Sequence, residues 1–226
     1  MNAAREEILA RIRRYSVSGM PNQAVDYAAI PREYRLSGNL DTEQTLRLFQ
    51  ERLQDYEANV YCCPSDRIPE TIAAALSARG KKRLVVPESV PASWLPNGFE
   101  FVRDAGLSYE GLNAIDGVVT TCAAAIALTG TILLEHTREQ GKRSITLIPD
   151  YHLCVVFTNQ VVETVPEGLR RVGNSIAPIT TISGPSATSD IEMTRVRGVH
   201  GPRHLDVIVV QTAHSRMSNM PAETTS

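Results

Sequence analysis

Two short stretches in the last third of the chain concentrate the residue types that do chemistry: Ser183-Gly184-Pro185-Ser186-Ala187-Thr188-Ser189-Asp190-Ile191-Glu192 and Gly198-Val199-His200-Gly201-Pro202-Arg203. In the first, a Gly-Pro step followed by hydroxyls at the start of a helix gathers free backbone N–H groups and the positive end of a helix dipole at one point, which suits an anion. Capping accounts for part of the same residues, since Ser189 as N-cap and Glu192 at N3 would form a capping box. Ser183, Gly184, Pro185, Ser186 and Asp190 remain for a ligand loop. Asp190 and Glu192, two positions apart, would leave a helix on different sides, which argues against a paired-carboxylate device.

In the second stretch, two glycines and a proline force a turn that presents His200 and Arg203, types suited to proton transfer and to carboxylate or phosphate recognition. The same residues also suit a turn that only packs under the last strand. His200 and His204 are four apart, but Gly201-Pro202 between them breaks the helix that a metal pair needs. The two stretches border apolar runs, Ile179 to Ile182 and Leu205 to Val210, expected to be neighbours in one sheet. Ser183 to Thr188 and Gly198 to Arg203 are therefore expected to face one cleft, with Arg203 on an anion: a ligand, or an internal acid such as Asp190 or Glu192. Thr129-Gly130-Thr131 allows close backbone approach to a ligand or to a neighbouring helix. Cys122 sits between a strand and an Ala-rich segment, open to nucleophiles, yet without a sequence-local base it fits a small buried hydrophobe better. The candidate ligand-binding set is Thr129, Gly130, Thr131, Ser183, Gly184, Pro185, Ser186, Thr188, Asp190, Glu192, His200, Gly201 and Arg203. It contains no complete nucleophile, base and orienter.

These candidates need an α/β scaffold, and the remaining sequence supplies its pattern. The chain has 226 residues, 42% apolar and 21% charged, with a formal charge of −2. That is enough for a sizeable core, and no global basic excess attracts nucleic acid or anionic lipid. Lys81-Lys82-Arg83 follows Gly80, where a helix should end, and reads as dipole-complementing cations. Neither a signal-peptide core nor an apolar run of membrane-spanning length is present, so the expected location is cytoplasmic. Cys62, Cys63, Cys122 and Cys154 show no Cys-x-x-Cys spacing, which speaks against a metal or cluster within this chain.

Ala3 to Arg14 reads as an amphipathic helix with Ile8, Leu9 and Ile12 on one side, followed by an extended connector to Leu40. Asp41 opens a helix with Gln44 three positions on, a capping-box pattern, and Leu46, Phe49, Leu53 and Tyr56 form its apolar stripe. Val60 to Cys62, Ile68 to Arg79 and Leu84 to Val86 predict a β-α-β unit. Further strands are expected at Phe99 to Val102, Gly117 to Thr120, Thr131 to Leu134, Ile145 to Ile148, Leu153 to Val156, Ile179 to Ile182 and Leu205 to Val210, with a helix over the Ala-rich Cys122 to Leu128. Nearly continuous Val/Ile/Leu runs imply strands covered on both faces. The short spacings from Thr131 to Val156 leave no room for crossover helices, so an antiparallel insertion is expected in a mixed, mostly parallel sheet flanked by helices. The domain reading is an N-terminal segment over residues 1–40, a single α/β domain over 41–211 and a polar tail over 212–226.

Ala127-Leu128-Thr129-Gly130-Thr131, Leu147-Ile148-Pro149 with His152, Ile182 through Glu192, and Gly198 through Arg203 resemble, in order and spacing, the LUD-domain family. The amphipathic start, the connector around Tyr34 and the Leu46 to Leu53 helix are also similar, so the resemblance covers nearly the whole chain. It implies a fold similar to the sugar-phosphate isomerase and CoA-transferase superfamily. It also implies a non-cluster subunit of a system oxidising L-lactate to pyruvate, binding a small anionic ligand and working with separate partner subunits that carry the iron–sulfur clusters. Leu128 stands where that family carries Glu, and Ala187 where it carries a basic residue, which takes one acid and one cation from the presumed site. The superfamily fold leaves open a stand-alone enzyme or sensor acting on a phosphorylated or CoA-linked small molecule.

Overall fold

The computed structural model describes residues 3–18, 33, 35–173, 176–188 and 196–212. The chain divides into two units, residues 1–34 and 35–226. The first holds helix α1 (Ala3–Ser18), four residues longer than the sequence pattern predicts.

The second unit starts with α2 (Thr42–Asp55), β1 (Asn59–Pro64), α3 (Ile68–Ala78), β2 (Arg83–Val86), β3 (Glu100–Arg103), α4 (Tyr109–Asn113) and β4 (Gly117–Thr121). It continues with β5 (Ala124–Ile126), β6 (Thr131–Glu135), β7 (Tyr151–Phe157), β8 (Val161–Val162), α5 (Val165–Val172), β9 (Ile179–Ile182), β10 (Ala187–Thr188), β11 (Val196–Arg197) and β12 (His204–Gln211). The Asp41 capping box forms as expected: its carboxylate accepts from Gln44 N–H, and the Gln44 side chain accepts from Asp41 N–H.

Six strands make the main sheet in the order β1-β12-β7-β4-β2-β3, all parallel. Its centre is β12, β7 and β4, where Val118, Val119, Leu153, Val155, Val207 and Ile208 are wholly buried. One face packs Tyr151, Leu153, Val155 and Ile208 against Ile68, Ile72 and Leu76 of α3. The opposite face meets α2 and a second sheet, through Phe49, Leu53, Ile132, Leu134, Val156 and Val207. Coverage on both sides is why these strands read as unbroken aliphatic runs.

The second sheet has the order β8-β5-β6-β9, with β6 antiparallel to both β5 and β9. Its outer face packs Ala124, Ile126 and Leu133 on Val172 of α5. The expected mostly parallel α/β sheet with an antiparallel insertion is found: over the described residues the main sheet is parallel throughout, and the antiparallel pairs are β5–β6 and β6–β9 of this second sheet and the separate pair β10–β11. Three expectations are corrected here. Cys122 to Leu128 is not helical, because the buried strand Ala124-Ala125-Ile126 fits between two layers, and that packing overrides alanine's helix preference. Ile145 to Ile148 is no strand; Arg143–Thr146 forms a 3₁₀ turn that drops Ile145 into a cluster with Val85, Leu112, Ile115 and Val118. Finally β9 pairs with β6 and β12 with β1 and β7, so the two strands that border the candidate loops are not neighbours.

Residues 35–40 lie on the second unit, held by two acids. Buried Glu163 accepts the N–H groups of Asn39 and Leu40 at 2.6 and 2.7 Å and the Arg35 guanidinium, and Glu167 accepts from Gly38 N–H at 3.0 Å. No helix among the described residues is long and apolar enough to cross a membrane.

Candidate functional site

A cavity of about 250 Å³ opens between the two sheets, beside the first residues of β7 and β12 and the end of β9. The loop leaving β9 and the loop entering β12 meet along one wall. Ser186 N–H donates to the Pro202 carbonyl at 2.8 Å, Gly198 N–H to the Ser186 carbonyl at 3.0 Å, and His200 N–H to Ser186 Oγ at 3.0 Å. β10 and β11 pair antiparallel beside these contacts. Ser183 to Ala187 of one loop and His200 and Pro202 of the other therefore border one cleft, which contacts between the loops make, not two adjacent strands.

Ser183, Gly184, Pro185, Ser186 and His200 line this cavity. Gly201 stands next to it, its Cβ position 3.6 Å from Ser186 Cβ. Ala187 is on the wall as a methyl group. Thr188 is in β10, and Asp190 and Glu192, with the proposed Ser189 cap, lie outside the described residues.

The other candidates lie off the cavity wall. Gly130, at φ +57, brings its backbone against α2, where a Cβ would come within 2.8 Å of Arg52 Cβ; the close approach is to a helix. Thr131 connects the two regions, with its Oγ1 2.7 Å from both Thr129 Oγ1 and Ser183 Oγ. Arg203 is more than half exposed and pairs through Nε with Asp150, at 2.5 Å, so its described partner is neither Asp190 nor Glu192 but an acid just before β7. Burial alone would push the Asp150 carboxyl up, but the Arg203 hydrogen bond and the charges of Arg203, Lys81 and His204 outweigh it and hold the group below its ordinary value. Cys122 is wholly buried; proximity to Cys154 and burial push its thiol well up, the opposite of an activated nucleophile.

Among the wall residues that the sequence reading did not select are Arg143, Thr146, His152 and Thr180. Arg143 comes from the 3₁₀ turn, and its Nη1 donates to Thr146 O and Oγ1 at 3.4 and 3.3 Å. His152, second in β7, is 1% exposed with Nε2 2.8 Å from Thr120 Oγ1, and its Nδ1 is buried without a partner. Burial first, and the Arg143 charge second, push its pKa down to about 4, so the ring is neutral at pH 7. Thr180 Oγ1 lies 2.6 Å from Nε2 of His136, whose Nδ1 lies 3.2 Å from the Gly141 carbonyl. That carbonyl fixes the proton on Nδ1, so Nε2 accepts from Thr180. The sequence signal was present for His152 alone: one imidazole in an aliphatic strand, Tyr151-His152-Leu153-Cys154-Val155-Val156.

The wall thus offers one arginine, two histidines and several hydroxyls, with no described carboxylate among its lining side chains, an environment for a small anion. Among the described residues no group of three or more His, Cys, Asp or Glu is placed to hold a metal ion.

Comparison with known proteins agrees with the architecture. A lactate utilization protein C from Deinococcus radiodurans is 43% identical over 211 residues, covering 92% of this chain and 95% of that protein. An uncharacterized protein from Neisseria meningitidis serogroup B is 27% identical over 94% of this chain and 95% of its own length. The crystal structure of a DUF162 family protein from Deinococcus radiodurans superposes with a TM-score of 0.68 at 41% identity, over 76% of this chain and 99% of that one. The profile of the LUD domain matches residues 46–210, from α2 to the end of β12, and the chain belongs to the LUD domain family.

Proposed function

We propose that this protein is a component of a lactate-utilization system and binds a small anionic ligand in the cavity between its two sheets. The observation that carries the reading is the 43% identity, over nearly the full length of both chains, to a protein named lactate utilization protein C. The cavity supplies the ligand part: an arginine among hydroxyls and no lining carboxylate. A volume of about 250 Å³ suits a small metabolite better than a CoA-linked one.

In this reading the chain is a non-cluster subunit in the oxidation of L-lactate to pyruvate, and iron–sulfur clusters belong to partner subunits. The cysteine positions support that division of labour. Cys62 is exposed on β1, Cys63 is buried beside it, and Cys122 and Cys154 are buried between the layers, so no described set converges on a cluster.

Deletion of the gene and growth on L-lactate as sole carbon source tests the proposal. The expected outcome is loss of growth on lactate but not on glucose, restored by a plasmid copy. Unimpaired growth and unimpaired lactate oxidation by the deletion strain would overturn it. Pull-down of the tagged chain from native lysate tests the subunit role, with iron–sulfur proteins expected to copurify.

A further inference from the structure

The hydroxyl of Thr180 has its polarity set by the protein before anything enters the cavity. Thr180 stands opposite Leu134 in the β6–β9 ladder, on the face of the second sheet that packs against the main one, where Leu134 and Ile182 join the interlayer cluster. It is half-buried and belongs to the cavity wall, while Ile179 and Thr181, alternating with it along β9, are exposed. Its Oγ1 has one described partner, Nε2 of His136 at 2.6 Å.

The direction of that bond follows from the other ring nitrogen. His136 Nδ1 lies 3.2 Å from the Gly141 carbonyl, which can only accept, so Nδ1 carries a proton in both states of the ring. In the neutral ring Nε2 is a bare acceptor and takes the Thr180 proton, which leaves Oγ1 with lone pairs alone for the cavity. In the imidazolium Nε2–H donates to Thr180, and the hydroxyl proton is released. The charged groups around this pair are Glu88, Asp104, Arg138 and Lys142, which line a second cavity of about 610 Å³ with His136, and Glu135, which precedes it in β6. On the Thr180 side the wall brings Arg143, His152 and His200. Arg143 donates through Nη1 to Thr146 and has no described carboxylate partner, so it is the cation available to an anion there.

We propose that His136 and Thr180 form a selectivity pair for the cavity: with the ring neutral, the site takes a small hydroxylated anion, its charge toward Arg143 and its hydroxyl donating to Thr180 Oγ1. The assignment deepens the anion-binding reading above and rests on it. A 2-hydroxycarboxylate and a hydroxylated phosphate ester share this chemistry, and the test separates them. A ketone in place of the hydroxyl would set lone pair against lone pair. His136 touches no ligand in this arrangement; it is a positioning residue that acts through Thr180, and its protonation removes the preference because Thr180 can then donate.

The full chain is titrated by calorimetry with two ligand pairs, L-lactate against pyruvate and glycerol 3-phosphate against methyl phosphate, at pH 8 and at pH 5. Nitrogen-15 NMR of the histidine rings follows the protonation of His136 in the same samples. While the ring is neutral, the hydroxylated member of one pair should bind about tenfold tighter than its counterpart, the effect of one well-placed hydrogen bond. The ratio should fall toward one as the ring protonates. Thr180→Val and His136→Phe should each give a ratio near one at both pH values, whereas a merely structural role for His136 would lower the melting temperature and leave the ratio in place. If His136→Phe does not fold, Thr180→Val and the wild-type pH profile decide. A preference within the lactate pair assigns the site to hydroxycarboxylates, and one within the phosphate pair assigns it to phosphate esters; either upholds the selectivity pair. Equal affinities within both pairs at a neutral ring, or a preference that survives in Thr180→Val, overturns the proposal and leaves the anion reading standing. Binding of none of the four overturns both, and the growth experiment then judges the lactate role separately.

Discussion

Arg79 grips Asp206 with two nitrogens, Nη2 to Oδ1 at 2.7 Å and Nε to Oδ2 at 3.3 Å, on a carboxylate that has no solvent exposure. The pair joins the end of α3 to the start of β12, and the Tyr151 hydroxyl donates to the same Oδ2 at 3.0 Å. Removing the guanidinium would leave a buried charge with one neutral donor, at a cost of about 3–5 kcal/mol. Arg79→Met should show that loss in urea denaturation, and Arg79→Met combined with Asp206→Asn should recover most of it. A single-variant loss under about 1 kcal/mol, typical of exposed pairs, would mean that water already screens the site.

Gly184 and Gly98 have nearly the same backbone angle, φ +92 and +90, in different surroundings. A Cβ at Gly184 would lie 2.6 Å from Tyr56 Cβ, whereas one at Gly98 meets nothing within 4 Å. Gly98→Ala should therefore lose only the conformational part, about 1–2 kcal/mol. Gly184→Ala should lose roughly 1–3 kcal/mol more, since the cavity loop must move off α2. Paired melting curves measure the difference, and equal losses would show that the loop yields freely at Tyr56.

Arg203 and Asp150 give a pH-dependent prediction. The carboxyl of Asp150 is held below its ordinary value, so its contribution to stability is present above the unfolded pKa of about 3.9 and disappears as pH falls through the lower, folded value. In Arg203→Ala the burial effect remains while the main opposing contact is gone, and the Asp150 carboxyl should titrate higher. Arg203→Lys should fall between, keeping charge but losing the planar donor. Carboxyl ¹³C NMR reads this directly. An unchanged Asp150 titration in Arg203→Ala would identify Lys81, 3.9 Å away, as the controlling cation.

How far the sequence discloses this arrangement depends on whether the cause is local. The Asp41–Gln44 box is legible because both partners sit within four residues. The central strands are legible because coverage on both faces demands aliphatic side chains throughout. Ala124 to Ala127 misleads because small side chains favour helix locally and fit a tight interlayer gap equally well. The cleft between Ser186 and His200 is foreseen for a wrong reason: strand neighbours are chosen by the whole sheet, and nothing within Ile179 to Ile182 says that β6 will be the partner. Asp150 as the partner of Arg203 is non-local in the same sense, 53 positions away. Arg143 and His152 escape selection because one cation in a turn and one imidazole in a strand look alike whether satisfied or not; only the unpartnered Nδ1 distinguishes them.

That nitrogen should also be visible in the stability of the protein. His152 has a folded pKa of about 4 against about 6.5 in the unfolded chain. Below pH 6.5 the unfolded state takes up a proton that the folded state refuses, so the stabilising contribution is complete above that value and is lost as pH falls from 6.5 toward 4. The slope for one such group is roughly 1.4 kcal/mol per pH unit. His204, also lowered by burial and by Arg79, adds in the same direction, so the comparison must be made against a variant. His152→Gln keeps a polar group near Thr120 but cannot titrate. Urea denaturation at pH 7, 6 and 5 should show wild type losing stability faster than His152→Gln, with the gap widening by about 1 kcal/mol between pH 6 and pH 5. Parallel slopes for the two proteins would mean that the imidazole accepts a proton in place, and that burial beside Arg143 does not keep the ring neutral.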